Sequence, residues 1–153
     1  MRNWFIIIFV LGLVVGWLIP MNFWDVTREA SQKPIQAGFY DVGKRMGQLD
    51  QQNEYLKFMV LAEADTGKVQ LFRLDDKIPL HVHKTENHFA YIFKGKLRAT
   101  IANVTAEIGP GQMLVIPAGY EHSVEKISDT PVEAILFITP IGLNGETIYL
   151  EKQ

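Results

Sequence analysis

The sequence predicts an all-β domain, one small barrel of two sheets, preceded by a single membrane-spanning helix. From residue 54 onward, short runs rich in β-branched and aromatic residues alternate with Asp-Thr-Gly, Lys-Gly, Gly-Pro-Gly and Asp-Thr-Pro turns, which is the punctuation of strands rather than helices. Residues 4–19 form an uncharged, unbroken apolar run. All 4 histidines, His81, His83, His88 and His122, lie within the strand-rich part, where a barrel can turn them toward one another.

The apolar run follows Arg2 and is followed by Pro20. Its sixteen residues rise about 24 Å as a helix, and continuing to Trp24 brings the length near that of a bilayer core. Trp4 at one end and Trp17 and Trp24 near the other suit the two interfaces. The bulky residues around Pro20 offer no small-x-small cleavage site, and small residues come only near Ala30 and Ser31, so residues 1–24 read as a retained signal-anchor rather than a cleaved leader. The basic end stays inside, which puts the barrel on the periplasmic or other extracytoplasmic side of an inner (cell) membrane, held by a single pass.

Residues 25–53 read as a tether, interrupted by Pro34, Gly38, Gly43 and Gly47, with a possible N-terminal strand over 36–40 and a turn or short helix over 44–52. Phe39 and Tyr40 are expected to pack across the end of the barrel or to add a strand to a partner. Residues 54–153 are the barrel, with strands expected at 55–62, 69–74, 88–93, 97–102, 112–116 and 132–139. Closing them into two sheets protects their edges and encloses a cavity. With His88 inward, Ala90 and Ile92 share its face, while Phe89, Tyr91 and Phe93 face inter-sheet packing or a dimer partner. The segment 140–150 is apolar enough to cover an open side. The histidine pattern is not repeated, so one barrel is expected.

His81 and His83 are two apart in a strand and point the same way. The Thr-Glu-Asn stretch after them bends the chain so that His88 can enter the next strand from the same side. His122 follows a turn punctuated by Gly111, Pro117 and Gly119. Four neutral imidazoles suit one divalent transition metal, and ligand type alone admits Fe, Mn, Zn, Ni and Cu; Fe or Mn is weakly favoured over Zn, Ni or Cu. A six-coordinate ion keeps positions for water, dioxygen or a chelating substrate, whereas a closed tetrahedral ion is structural.

These residues resemble the two motifs of the cupin superfamily, a double-stranded β-helix or jelly-roll fold. His81, His83, His88 and Gly95 have the spacing of the first motif, with His88 where most members carry glutamate. Gly111, Pro117, Gly119 and His122 have the spacing of the second, with Lys126 where many relatives keep asparagine. The resemblance covers about residues 54–140 and implies a small single-domain metal-binding cupin with His81, His83, His88 and His122 as ligands. It also implies a homodimer. The all-histidine set departs from the three-histidine, one-glutamate oxidases and decarboxylases, so the fold carries over further than the reaction.

The formal net charge of −2 provides no electrostatic footprint for nucleic acid. The absence of cysteine excludes disulfides, thiolate ligands and a cysteine nucleophile. The sequence therefore points to a membrane-anchored metal-binding cupin, an oxygenase or lyase acting on an oxygen-bearing small molecule, and it identifies no catalytic residue outright. Glu86 and Glu121 are the nearest carboxylates to the histidines. Glu121 should face away from His122, and Glu86 reads first as a solvated loop carboxylate and second as a general base. Tyr120, sharing His122's parity, is a candidate for the pocket rim. The alternative is a non-catalytic accessory subunit of a membrane complex, to which the Gly12 and Gly16 spacing would lend a close helix contact. A ligand-sensing role ranks third, because only residues 1–3 precede the span.

Overall fold

Alternating inward and outward side chains sort the chain into two five-stranded antiparallel sheets. The structure is a computed structural model that describes residues 35, 37–142 and 146–150. The expected membrane anchor lies outside the described residues, and no helix among those described is long and apolar enough to cross a membrane.

The first described element is helix α1 (Val42–Leu49). Asp41 caps it, its Oδ1 accepting the Lys44 amide at 2.9 Å, which satisfies a donor that the first turn would otherwise leave open. Met46 and Leu49 are buried from this helix and pack with Leu71, Leu61, Phe93 and Ile135 into a small second core. A turn or short helix over 44–52 was expected; a helix forms and begins two residues earlier, at Val42. The strand expected over 36–40 does not form among residues 37–40. Phe39 is fully exposed and Tyr40 is exposed as well, so neither packs across the barrel.

The strands are β1 (Leu56–Ala64), β2 (Gly67–Leu74), β3 (Lys77–His83), β4 (Asn87–Lys94), β5 (Leu97–Ile101), β6 (Val104–Ile108), β7 (Met113–Ile116), β8 (His122–Lys126), β9 (Val132–Thr139) and β10 (Thr147–Tyr149). One sheet runs β1-β2-β9-β4-β7 and the other β10-β3-β8-β5-β6. The main core, including Phe72, Leu74, Ile92, Leu97, Val132 and Leu136, fills the space between them. The expected alternation on β4 holds: Ile92 is buried in this core, while Phe93 on the other face packs toward α1 and Tyr91 is exposed. Opposite charges cross the outer face near α1, where Arg73 meets Glu133 at 3.2 Å, Asp75 at 3.3 Å and also Asp50 beyond the helix, and Lys94 meets Glu133 at 2.9 Å.

Three glycines at strand ends take positive φ: Gly95 (74°), Gly111 (85°) and Gly119 (78°), the left-handed region that disfavours side chains. At Gly95 a Cβ would also stand 2.4 Å from the Pro131 carbonyl oxygen. The glycines assigned to turns by the motif spacing are therefore turns in fact. The described end of segment 140–150 lies along the second sheet, where β10 pairs with β3 and the Leu150 amide donates to the Leu80 carbonyl at 2.8 Å.

Candidate metal centre

Backbone register brings the histidines together from both sheets. His81 on β3 lies directly opposite His122 on β8, with ring centroids 4.1 Å apart. The register shifts between Ile78 and His81, so both side chains are buried although they are three residues apart. A bulge does this by adding one residue to one strand, and Pro79, which has no amide to donate to a ladder, sits inside it. His83 follows on the same face, its ring 5.0 Å from that of His81 and 5.1 Å from that of His122. His88 comes from the facing sheet, where it pairs with Ile138 and Ile116, and its ring stacks on His83 at 3.9 Å. A backbone bond fixes the two motifs to each other, the Gly119 amide donating to the His83 carbonyl at 2.7 Å.

Three of the four imidazoles have their Nδ1 engaged away from the cluster. His81 Nδ1 donates to the Pro79 carbonyl at 2.7 Å, and His122 Nδ1 donates to the Tyr120 carbonyl at 2.9 Å. His83 Nδ1 lies 3.0 Å from Thr147 Oγ1. Such contacts fix the tautomer and leave Nε2 as the lone pair for a metal. Ligand atoms of His81, His83 and His122 all lie within 4.8 Å of one another. The donor set thus fits a divalent transition metal, as buried neutral nitrogen donors with oriented rings.

The fourth corner is more complex than the sequence implied. His83, Glu86 and His88 form a second group within the same 4.8 Å limit. His88 Nε2 donates to Glu86 Oε2 at 3.1 Å, so His88 joins the other three only by presenting Nδ1 or by giving up Glu86. Glu86 is no solvated loop carboxylate: it is 6% exposed, and its Oε1 accepts the Gly142 amide at 2.8 Å. The turn carrying it is held by Glu146, whose carboxylate accepts the Thr85 and Glu86 amides and the Thr85 hydroxyl. The residue belongs to a loop in sequence, but the returning C-terminal segment closes over it.

Burial pushes all four imidazoles toward their neutral form. His83 is pushed down to about 3, by desolvation first and then by His88, His81, His122 and Lys68. His122 is pushed down to about 4 by desolvation and the neighbouring imidazoles, against the opposing pull of the Tyr120 carbonyl. His81 and His88 are lowered as well, again chiefly by burial. Neutral imidazole is the form that binds metals.

Beside the histidines lies a cavity of about 320 Å³, lined by apolar residues that include Phe72, Ile92, Leu114 and Leu136 and by polar Lys68, Gln70 and Glu86. Its size is that of a small-molecule site. Glu121 is exposed, as the parity of β8 requires. Tyr120 is exposed and does not line the cavity; only its carbonyl serves the site, by holding His122. Thr147, Tyr149, Lys68 and Gln70 are site residues that the sequence reading missed. For Lys68 and Gln70 the signal was present, since both are polar and alternate with Phe72 on the inward face of β2.

Residues 70–138 match the cupin domain family. Among solved structures, the chain resembles a double-stranded beta-helix protein of Klebsiella pneumoniae at 16% identity and a TM-score of 0.62, covering 76% of this chain and 100% of that one. It resembles a cupin-2 domain protein of Shewanella frigidimarina at 20% identity and a TM-score of 0.56, covering 67% of this chain and 94% of that one. It also resembles oxalate decarboxylase of Lactobacillus farciminis at 22% identity and a TM-score of 0.54, covering 69% of this chain but 34% of the enzyme. No curated protein matches the chain. Two facing antiparallel sheets and histidines converging from both accompany the family match over strands β2 to β9, so residues 70–138 are similar to the cupin domain family and the described chain has a cupin-like fold.

Proposed function

We propose that this protein is a membrane-anchored metal-binding cupin in which His81, His83, His88 and His122 hold one divalent transition metal, and that it acts as an oxygenase or lyase on a small oxygen-bearing molecule. The observation that carries the reading is the outward engagement of Nδ1 on His81, His83 and His122, beside a cavity of small-molecule size. A structural site has no need of such a cavity. The ion supplies Lewis-acid polarisation of a substrate oxygen, or redox chemistry if it is Fe or Mn.

The protein's own groups orient and shield the reaction. Pro79, Tyr120 and Thr147 hold three rings in place, and the apolar wall from Phe72 to Leu136 keeps water from the substrate's carbon skeleton. Glu86 Oε2, buried at the cavity wall and 3.1 Å from His88 Nε2, is placed to receive a substrate proton. The oxalate decarboxylase likeness is one of fold, and it is consistent with lyase chemistry without specifying the substrate. The apolar run at residues 4–19 supports the anchor, which confines the barrel to the periplasmic or extracytoplasmic side.

The test is elemental analysis of protein purified without an affinity-metal step, followed by product analysis with diketones, hydroxy acids and phenolic compounds. One equivalent of metal and turnover of one class support the reading. A metal-free protein, or a metal whose environment never changes with any of these compounds, overturns it.

A second reading, a non-catalytic accessory subunit of a membrane complex, is favoured by one feature, and a lone monomer or homodimer would count against it. Phe137, Tyr91, Met113 and Val115 are exposed on the outer face of the first sheet, where Phe89 pairs with both Phe137 and Val115. Purification in mild detergent and mass measurement of the complex separates the two cases.

A further inference from the structure

We propose that Lys68 and Gln70 form a carboxylate-binding subsite beside the histidine cluster, so that the ligand of this cavity is a small carboxylate with a second oxygen next to it and an apolar tail. The inference rests on the metal-site reading above and adds the class of substrate.

Lys68 and Gln70 are two apart on β2, and both line the cavity. Register sets Lys68 in one row with Ile138 and His88, and Gln70 in the next row with Leu136 and Ala90. The ammonium of Lys68 stands 3.9 Å from Glu86 Oε1, and its side chain is 22% exposed. That is an ion pair at its outer limit and too long for a hydrogen bond. The Lys68 ammonium makes no hydrogen bond among the described residues, so beyond this long ion pair its donors can serve a ligand. Gln70 is 7% exposed, yet its amide has no hydrogen-bond partner among the described residues, while no side-chain atom sealed from solvent lacks one. The amide therefore opens into the cavity. A buried amide facing a cavity is costly unless something fills its bonds.

Charge points the same way. Four neutral imidazoles leave a divalent ion's charge uncompensated, and Glu86 offsets no more than Lys68 adds. The site as a whole is then strongly positive, which selects an anion. Lys68 shares its row with His88, so an anion whose carboxylate meets Lys68 and Gln70 lies beside the histidines. The apolar part of the wall, which includes Phe72, Ile92, Leu114 and Leu136, takes a hydrocarbon tail.

The pair of probes is benzoylformate and its neutral counterpart acetylbenzoyl, in which a methyl ketone replaces the carboxylate. Calorimetric titration uses full-length protein in detergent carrying the metal with which it is purified, with metal content measured for each variant. Wild type should prefer benzoylformate. Lys68→Met should weaken benzoylformate about tenfold or more, in line with loss of a charge-assisted contact, and leave acetylbenzoyl within about twofold. Gln70→Leu should give the same selectivity change at smaller size, and it guards against a Lys68 variant that fails to fold. Equal loss for both probes, unchanged benzoylformate affinity in both variants, or a wild type that does not bind benzoylformate overturns the subsite. A wild type that takes no metal overturns instead the reading on which it rests.

Discussion

Glu86 Oε2 lies 3.1 Å from His88 Nε2, and this contact decides how the fourth ligand position is filled. His88 as a ligand predicts that His88→Ala lowers metal affinity more than Glu86→Gln does, and that Glu86→Gln lowers it about 10- to 100-fold, the size expected for a group that orients a ligand. Chelator competition followed by elemental analysis measures both. Full metal retention in His88→Ala together with metal loss in Glu86→Gln would reverse the assignment and make Glu86 the ligand. On an identified substrate, Glu86→Gln should also lower turnover; no change would remove its proton-accepting role.

Thr147 is the only described partner of His83 Nδ1. Replacing it with valine, close in shape, should lower metal affinity about tenfold while the melting temperature of the metal-free protein moves little. Unchanged affinity would show that β10 covers the site without orienting it.

The metal-free protein should lose stability in acid through its histidines. His83 and His122 titrate near 3 and 4 in the folded chain, below the ordinary value of about 6.5. The unfolded chain therefore binds more protons in the interval, and stability falls as pH drops from about 6.5 toward 3, at up to about 1.4 kcal/mol per pH unit for each histidine. It is fully present above that window. Denaturant melts across the range measure the slope, and replacing His83 and His122 with Gln should flatten it.

Gly95→Ala should cost about 2 to 3 kcal/mol, because φ of 74° disfavours a side chain and the added Cβ would meet the Pro131 carbonyl. Gly111→Ala shares the positive φ but meets nothing within 4 Å, and should cost about 1 kcal/mol. Urea denaturation of the two variants checks the order. Equal costs would show that the backbone angle alone matters.

An anchored chain should stay with the membrane fraction through a carbonate wash and leave it only in detergent. Release as a shortened soluble form would identify residues 1–24 as a cleaved leader and put the barrel free in the extracytoplasmic space.

The sequence by itself determined the strand pattern and the shared face of His81 and His83, because both depend on local rules. Strand alternation puts His81 and His83 on one face whatever the rest of the chain does, and the turns at Gly95, Gly111 and Gly119 demand a residue without a side chain at positive φ. Strand β9 was legible to its exact ends because Asp129-Thr130-Pro131 and Pro140 bracket it. Strand β6 was not, since all but Ile108 of its residues are exposed and little apolar period survives to mark it. Tertiary structure decided whatever depends on distant segments meeting. Glu86 looks solvated until Gly142 and Glu146, more than fifty residues later, close over it. Lys68 and Gln70 become site residues only when β9 sets β2 beside β4. Local spacing carries the direction of a side chain, but burial and partners come from closure of the barrel, which no single segment encodes.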